Sequence, residues 1–192
     1  MPGKFLIVGL GNIGTAYIHT RHNAGFDVVE SFVIKHGGFF RADRLADVAE
    51  VKWKGNTYIC IKPTTYMNLS GKALKYWMDK EKIALENILV VVDDLALPIQ
   101  KLRLRGHGSD AGHNGLKDIQ LMLGTDRYAR LKFGIGNNFP KGMQAEYVLG
   151  KWFPEEKNVI QRKIEKSVEI VEAFSTIGLE RTMNEYNNTT VE

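Results

Sequence analysis

The spacing of apolar residues changes period several times along the chain, and each change marks an element. Phe5, Leu6, Ile7 and Val8 form an unbroken apolar run of strand length, as expected of a strand covered on both faces. From Gly25 to Lys35 the period lengthens, with Phe26, Val29, Phe32 and Val33 at helical spacing. Residues 47–53 and 57–62 read as two strands joined by Lys54-Gly55-Asn56, a short hairpin. Ser70 is a candidate N-cap for a helix presenting Ala73, Leu74 and Trp77 on one face. The β-branched run Ile88 to Val92 predicts a central strand, and Ile99 to Arg105 alternates as a further strand. A glycine-rich loop and a helix through Leu116, Ile119 and Leu123 follow; Leu131, Phe133 and Ile135 then alternate, and Tyr147 to Leu149 predicts a last short strand. After Pro154, a good first helical residue, Ile160, Ile164, Val168, Val171 and Phe174 predict a long amphipathic helix. Gly178 ends it, a shorter helix carries Leu179, Met183 and Tyr186, and the tail 187–192 is expected to fray. Strands alternating with helices, plus one hairpin, predict a single α/β domain over residues 1–192. It has three layers, with a twisted, mixed and largely parallel sheet between helices.

Composition narrows the class. At 192 residues the chain can bury a core without metal or disulfide, and 44% hydrophobic with 25% charged residues is ordinary for a soluble globular protein. No apolar run approaches the roughly 20 residues a membrane helix needs. The start MPGKFLIVGL lacks a small-residue cleavage site, so it reads as a first strand rather than a signal peptide, and the cytoplasm is the expected location. Cys60 is the single cysteine, which excludes an internal disulfide and supplies no metal-ligand spacing. Lys and Arg exceed Asp and Glu by 26 to 22, a mild surplus compatible with a polyanionic partner.

Gly9, Gly11 and Gly14 spell G-x-G-x-x-G immediately after the first strand. In a dinucleotide site such glycines open a helix at once, so that backbone N–H groups and the helix dipole meet the pyrophosphate. Here TAYIHTRHNA follows, and helical periodicity resumes only near Gly25. An acid is also required about 20 residues on, to hold the ribose, and IKHGGFF supplies none. A nicotinamide cofactor is therefore not expected. What remains in that loop is Asn12, Tyr17, His22 and Asn23, beyond the carboxyl end of a strand, where ligands of open α/β sheets bind. TTYMN (64–68), Asp93-Asp94 and HGSDAGHNG (107–115) follow other strands, so four connections deliver Asn, His and Asp toward one rim.

GLGNIGxxYxxTRHNAGF, PTTYMNLSGKA, DDLALP and GHNGLKD, in this order and at these intervals, resemble the bacterial peptidyl-tRNA hydrolase family, as do KFGIG and YVLGKW. The likeness runs from about Phe5 to Trp152. It implies a single α/β domain without metal or cofactor, expected as a monomer. The implied activity is hydrolysis of the ester joining a peptide to the 3′ ribose of tRNA, which recycles tRNA from peptidyl-tRNA. On matching positions it makes His22 the catalytic base and Asp93 its partner. Asn12 would contact the peptide and help reject free-amine aminoacyl-tRNA; Tyr17, Tyr66, Asn68 and Asn114 would line the site for the 3′ end. His113 would support the site from a gate loop, and Arg105, Lys132 and Lys141 would fall on a clamp for tRNA phosphate. The sequence departs from the family pattern at Ile13, Ala96, Ala111 and NNFPK, and the clamp has Arg105 and Lys132 where Lys and Arg are common.

The chemistry is coherent with these residues. A neutral imidazole can accept a proton from water near neutral pH, and a carboxylate on its other nitrogen fixes the tautomer. Asparagines both donate and accept hydrogen bonds, so they can grip amide, ribose and water. No Ser or Cys stands in a nucleophile elbow, which favours direct attack by water. Plainer explanations compete: Asp93 could cap a turn, and Asp94 competes for its role. His19, His36 and His107 read as ordinary surface or packing residues, and Trp53, Trp77 and Trp152 as packing. Lys101, Arg103 and Arg105 share one strand face, which a solvated edge also explains. The C-terminal helix mixes cations with five glutamates and reads as a solvated packing helix. The alternative function is a non-catalytic RNA-binding relative of the same fold.

Overall fold

The computed structural model describes residues 3–192. Seven strands form one sheet in the order β2-β3-β4-β1-β5-β7-β6: β1 (Lys4–Gly9), β2 (Arg41–Asp43), β3 (Ala46–Trp53), β4 (Asn56–Pro63), β5 (Ile88–Asp94), β6 (Leu102–Arg105) and β7 (Ala129–Gly134). The four inner strands β4, β1, β5 and β7 are parallel. The outer pairings β2–β3, β3–β4 and β6–β7 are antiparallel. Parallel strands must be covered on both faces, and β5, reading ILVVVDD, is buried from Ile88 through Asp93.

One face is covered by α1 (Ala24–Lys35) and α5 (Lys157–Ile177), with Phe32, Val33, Val171 and Phe174 packed against Ile7, Leu89 and Val91. The other is covered by α2 (Ser70–Lys80) and α3 (Asn114–Leu123), where Leu74, Trp77, Leu116 and Ile119 meet Leu6, Val8 and Val90. The expected three-layer α/β architecture with a mixed, mainly parallel sheet is what the chain adopts. Cys60 lies fully buried in the first of these cores, and burial pushes its thiol pKa well up.

Several local expectations change. Tyr147 to Leu149 is not a strand: α4 (Gln144–Val148) takes up Tyr147, whose hydroxyl donates to the Ile135 carbonyl at 2.6 Å. Three consecutive apolar residues could not distinguish the two, and that tertiary bond favours the helical placement. Ser70 is the first residue of α2 rather than its cap, and its hydroxyl donates to the Met67 carbonyl. The strand expected from Ile99 starts at Leu102, and the short β2 has no signal of its own. Past α6 (Leu179–Tyr186), the tail expected to fray is hydrogen-bonded. The Asn187 side chain pairs with both backbone groups of Leu104 (2.8 and 2.9 Å), and Val191 N–H donates to Gln100 O. The Asn187 bonds occupy part of the open edge of β6, which otherwise offers unpaired backbone to other chains.

The glycines of the first loop serve packing. A Cβ on Gly9 would collide with the Gly25 carbonyl, and one on Gly25 would collide with the Val91 carbonyl. Helix α1 can therefore start directly against β1 and β5 only where both residues are glycine. That close crossing places the residues just before α1 beside the carboxyl end of β5.

Candidate active site

His22 sits in a 3₁₀ turn, Arg21–Asn23, between the loop after β1 and α1. Asn23 secures the turn: its amide donates to the Asn12 carbonyl (2.9 Å) and its Oδ1 accepts the Asn12 N–H (2.8 Å). Asp93 stands near the end of β5, and the pleat decides between it and Asp94. Neighbouring residues point to opposite faces. Asp93 pairs in register with Phe133 of the α1-side core, whereas Asp94 lies on the face of Val92 and Lys132. His113 caps the N-terminus of α3, its Nδ1 accepting the Gly115 N–H at 3.1 Å.

These three residues meet. His22 Nδ1 is 2.8 Å from Asp93 Oδ2, and His113 Nε2 is 2.9 Å from Asp93 Oδ1. The bonds specify protons. Because His113 Nδ1 accepts from a backbone amide, its proton must be on Nε2, which donates to Asp93. His22 likewise donates from Nδ1, which leaves the Nε2 lone pair available. The cluster has three potential metal-binding side chains, but a protonated Nε2 is no ligand, so the set supplies too few donors for a catalytic cation held by three protein groups.

Asp93 is 5% exposed. Burial pushes its carboxyl pKa upward, but the charges and hydrogen bonds of His113 and His22 outweigh this and hold it well below the usual carboxylate range. Burial likewise pulls the His22 imidazole down, while Asp93, by charge and hydrogen bond, more than reverses that and leaves it raised.

The cluster opens on a cavity of about 470 Å³ lined by His22, Asp93, His113, Asn114 and Lys132, with Gln144, Ala145 and Val148 of α4 in its wall. Lys132 Nζ lies 3.7 Å from Asp94 Oδ2, so this cation, expected on a phosphate clamp, is part of the cleft. Arg105 and Lys141 are exposed, at the end of β6 and in the loop after β7. Asn12, Tyr17, Tyr66 and Asn68 are absent from the lining of this cavity. Asn12 is tethered beside His22 by Asn23, and Tyr17 ends a 3₁₀ turn upstream. Tyr66, 81% exposed, and Asn68 belong to the segment leading into α2, beside the start of α3, where a Cβ on Gly115 would stand 2.9 Å from Met67 Sδ.

Two arginines of structural consequence have no signal in the sequence. Arg130, fully buried, stacks on Tyr128 at 3.9 Å and donates to the carbonyls of Gly108, Tyr128 and Asp126. It thereby ties down the loop that leads to His113. By spacing alone it resembles any strand cation. Arg21, beside His22, is buried as well. Ala111, which lines the cavity, holds a left-handed φ of 51°, a conformation that costs a non-glycine residue about 1 kcal/mol or more.

A buried carboxylate–imidazole centre at the carboxyl ends of parallel strands, opening on a cleft, is the layout of a hydrolytic α/β enzyme. Comparison with known proteins makes this specific. The family model described as peptidyl-tRNA hydrolase matches residues 6–192, and the chain belongs to this family. It is 51% identical to the peptidyl-tRNA hydrolase of Parabacteroides distasonis, over 96% of this chain and 99% of that protein. With the peptidyl-tRNA hydrolase of Cytophaga hutchinsonii it shares 52% identity, over 96% of this chain and 98% of that protein. The crystal structure of peptidyl-tRNA hydrolase from Acinetobacter baumannii superposes with a TM-score of 0.92 at 33% identity, covering 99% of this chain and 97% of that one.

Proposed function

We propose that this protein hydrolyses the ester between a peptide, or an N-blocked aminoacyl group, and the 3′ ribose of tRNA, with His22 Nε2 as the base that takes a proton from the attacking water. The observation that carries this reading is the His22 Nδ1–Asp93 Oδ2 bond of 2.8 Å on the wall of the cavity. Asp93 holds the imidazole in the tautomer with its lone pair free and stabilises the imidazolium as it forms. His113, bonded to the other carboxylate oxygen, keeps Asp93 charged and oriented. Positioned general-base help of this kind is worth about 10²- to 10⁴-fold.

Asn114 sits at the first turn of α3 on the cavity lining and can orient water or ribose. Asn12, beside His22, is placed to meet the acyl part, and Tyr17, Tyr66 and Asn68 form the outer approach for the 3′ end. Arg105 and Lys141 face solvent as the phosphate contacts, and Lys132 contributes positive charge within the cleft. Among the described residues no helix is long and apolar enough to cross a membrane. The proposed working state is a cytoplasmic monomer of one domain.

The test is purified protein with two substrates, N-blocked and free-amine aminoacyl-tRNA. The blocked form should be deacylated and the free amine spared, with EDTA making no difference. Binding of tRNA without turnover of either would move the protein to the class of non-catalytic RNA-binding relatives.

A further inference from the structure

Arg21 directly precedes His22, and the hydrolysis as proposed gives it no part. An ionised guanidinium is costly to take out of water unless it is paired and hydrogen-bonded, yet Arg21 is only 2% exposed. Its Cζ lies 4.1 Å from the centre of the Tyr147 ring, 4.7 Å from Phe153 and 5.7 Å from Trp152. Nη1 donates to the Tyr147 carbonyl at 3.0 Å, and Nη2 reaches Glu156 Oε1 at 3.5 Å. That oxygen also accepts the Phe153 N–H at 2.8 Å, so the carboxylate is itself held in place. The backbone joins in: Arg21 N–H donates to the Gly150 carbonyl, and Thr20 forms a β-bridge with Lys151.

Every one of these side-chain partners lies within residues 147–156, the stretch that begins in α4. Helix α4 forms one wall of the cavity, and His22 stands on another. Tyr147 in turn is fixed to the end of the sheet through Ile135. One buried cation thus joins the turn bearing the imidazole to the segment bearing the facing wall. Asn23 bolts the same turn to Asn12 from the other side. Most of residues 13–19 are exposed, so the chain before the turn contributes little packing of its own.

We infer that Arg21 is a positioning residue for the hydrolysis. Caged by three rings and Glu156, its guanidinium fixes the Arg21–Asn23 turn so that the His22 imidazole meets Asp93 and the cavity at once. This rests on His22 acting as the base. A planar, stacked fork has no substitute in lysine, which keeps the charge but is a point donor on a flexible stem. A displacement of about 1 Å at a reacting group can cost about 100-fold in rate.

The experiment uses the full chain with Arg21→Lys and Glu156→Gln, reading kcat and KM on N-blocked aminoacyl-tRNA, thermal midpoint, and the titration of the His22 ring by NMR. The groups facing that ring are Asp93 and His113, with Asp94, Asp110 and Lys132 further round the cavity. None is altered, so a moved titration reports a displaced imidazole. Arg21→Lys should lower kcat about 10- to 100-fold with KM changed less than about threefold, and should bring the His22 pKa down toward its ordinary 6.5. Glu156→Gln should do the same to a smaller degree. A folded Arg21→Lys protein with unaltered kcat and His22 titration overturns the inference. So does a lowered thermal midpoint with the titration unmoved, which would make Arg21 a scaffold residue only, or a rise confined to KM, which would confine it to the α4 wall. If Arg21→Lys does not fold, unchanged kcat and titration in Glu156→Gln overturn it. A wild-type protein inactive on both substrates defeats the functional reading instead, and the His22 titration still decides whether Arg21 sets the ring.

Discussion

His19 and His22 stand three residues apart in one loop, and each turns Nδ1 toward a carboxylate, His19 to Asp27 at 3.0 Å and His22 to Asp93 at 2.8 Å. By distance the pairs are nearly equivalent. Their surroundings are not. The His19 side chain is 67% exposed, that of His22 16%. Burial pushes the Asp27 carboxyl up to about 6, with Glu30 adding to the rise and His19 and Lys62 only partly opposing it. Asp93 is buried more deeply but has two imidazole donors, and it stays charged. The second donor sets Asp93 apart: with two largely buried imidazoles directed at it, its carboxyl is held down, whereas that of Asp27, with one water-exposed histidine, rises. His19 also sits at a left-handed φ of 59°, so its bond to Asp27 helps to hold a strained turn.

The largest effect should separate the two histidines outright. His22→Ala should lower kcat on N-blocked aminoacyl-tRNA by about 10²- to 10⁴-fold with the fold intact by circular dichroism, while His19→Ala stays within about threefold. Comparable losses in both would mean that the loop, rather than one imidazole, carries activity.

Next comes Asp93. A base works neutral, so kcat/KM should rise with pH through a limb above 6.5, because the His22 pKa is raised, and level off beyond it. Asp93→Asn removes the charge that raises it. Its plateau should drop about 10²-fold or more, and the remaining limb should lie at lower pH. A limb that stays in place would detach Asp93 from His22. Asp27→Asn should leave the limb where it is.

This contrast also shows what could be read from the chain beforehand. The inner strands were legible because unbroken apolar runs such as ILVVV have few alternatives, and α1 and α5 because their apolar stripes are long. The proposed catalytic pair came from family motifs rather than from pattern: nothing local distinguishes His22 from His19, or Asp93 from Asp94, until the pleat of β5 and the Gly9–Gly25 crossing decide which side chains converge. The glycine motif lacks the following helix and acid of a nucleotide cradle, which the sequence shows, but its use in letting α1 approach β1 is a tertiary fact. Arg21 and Arg130 were invisible for the same reason, since a caged cation and a solvated one are written with the same letter. The strand expected at Tyr147 failed because three residues carry no period.

Away from both pairs, Arg105 and Lys141 test whether binding and chemistry are separate. Replacing either by Gln should weaken tRNA binding a few-fold and reduce the slope of log K against log salt by about 0.7–0.9 for each phosphate no longer neutralised. The position of the kcat/KM limb set by His22 should not move. A full-strength salt slope in both variants would take these residues off the tRNA path.

The smallest effect concerns stability and tests the Asp27 pair on its own terms. Its carboxyl has an ordinary value of 3.8 and a folded value of about 6, so between these the native state binds more protons than the unfolded chain. Stability from this group is therefore complete below about pH 3.8 and is lost as pH rises through about 6. Over that window the loss is about 3 kcal/mol. Asp27→Asn cannot titrate, so the stability difference between the variant and the wild type should shift in the variant's favour as pH rises from 4 to 7 in chemical denaturation. Asp93→Asn should show the opposite trend in a separate window, below about pH 3.8, because a depressed carboxyl stabilises the fold above its ordinary value and gives that stability up as the pH falls further. The same trend in both variants across both pH ranges would mean that the α1 and β5 carboxylates share one environment, and that the second donor from His113 is not what sets Asp93 apart.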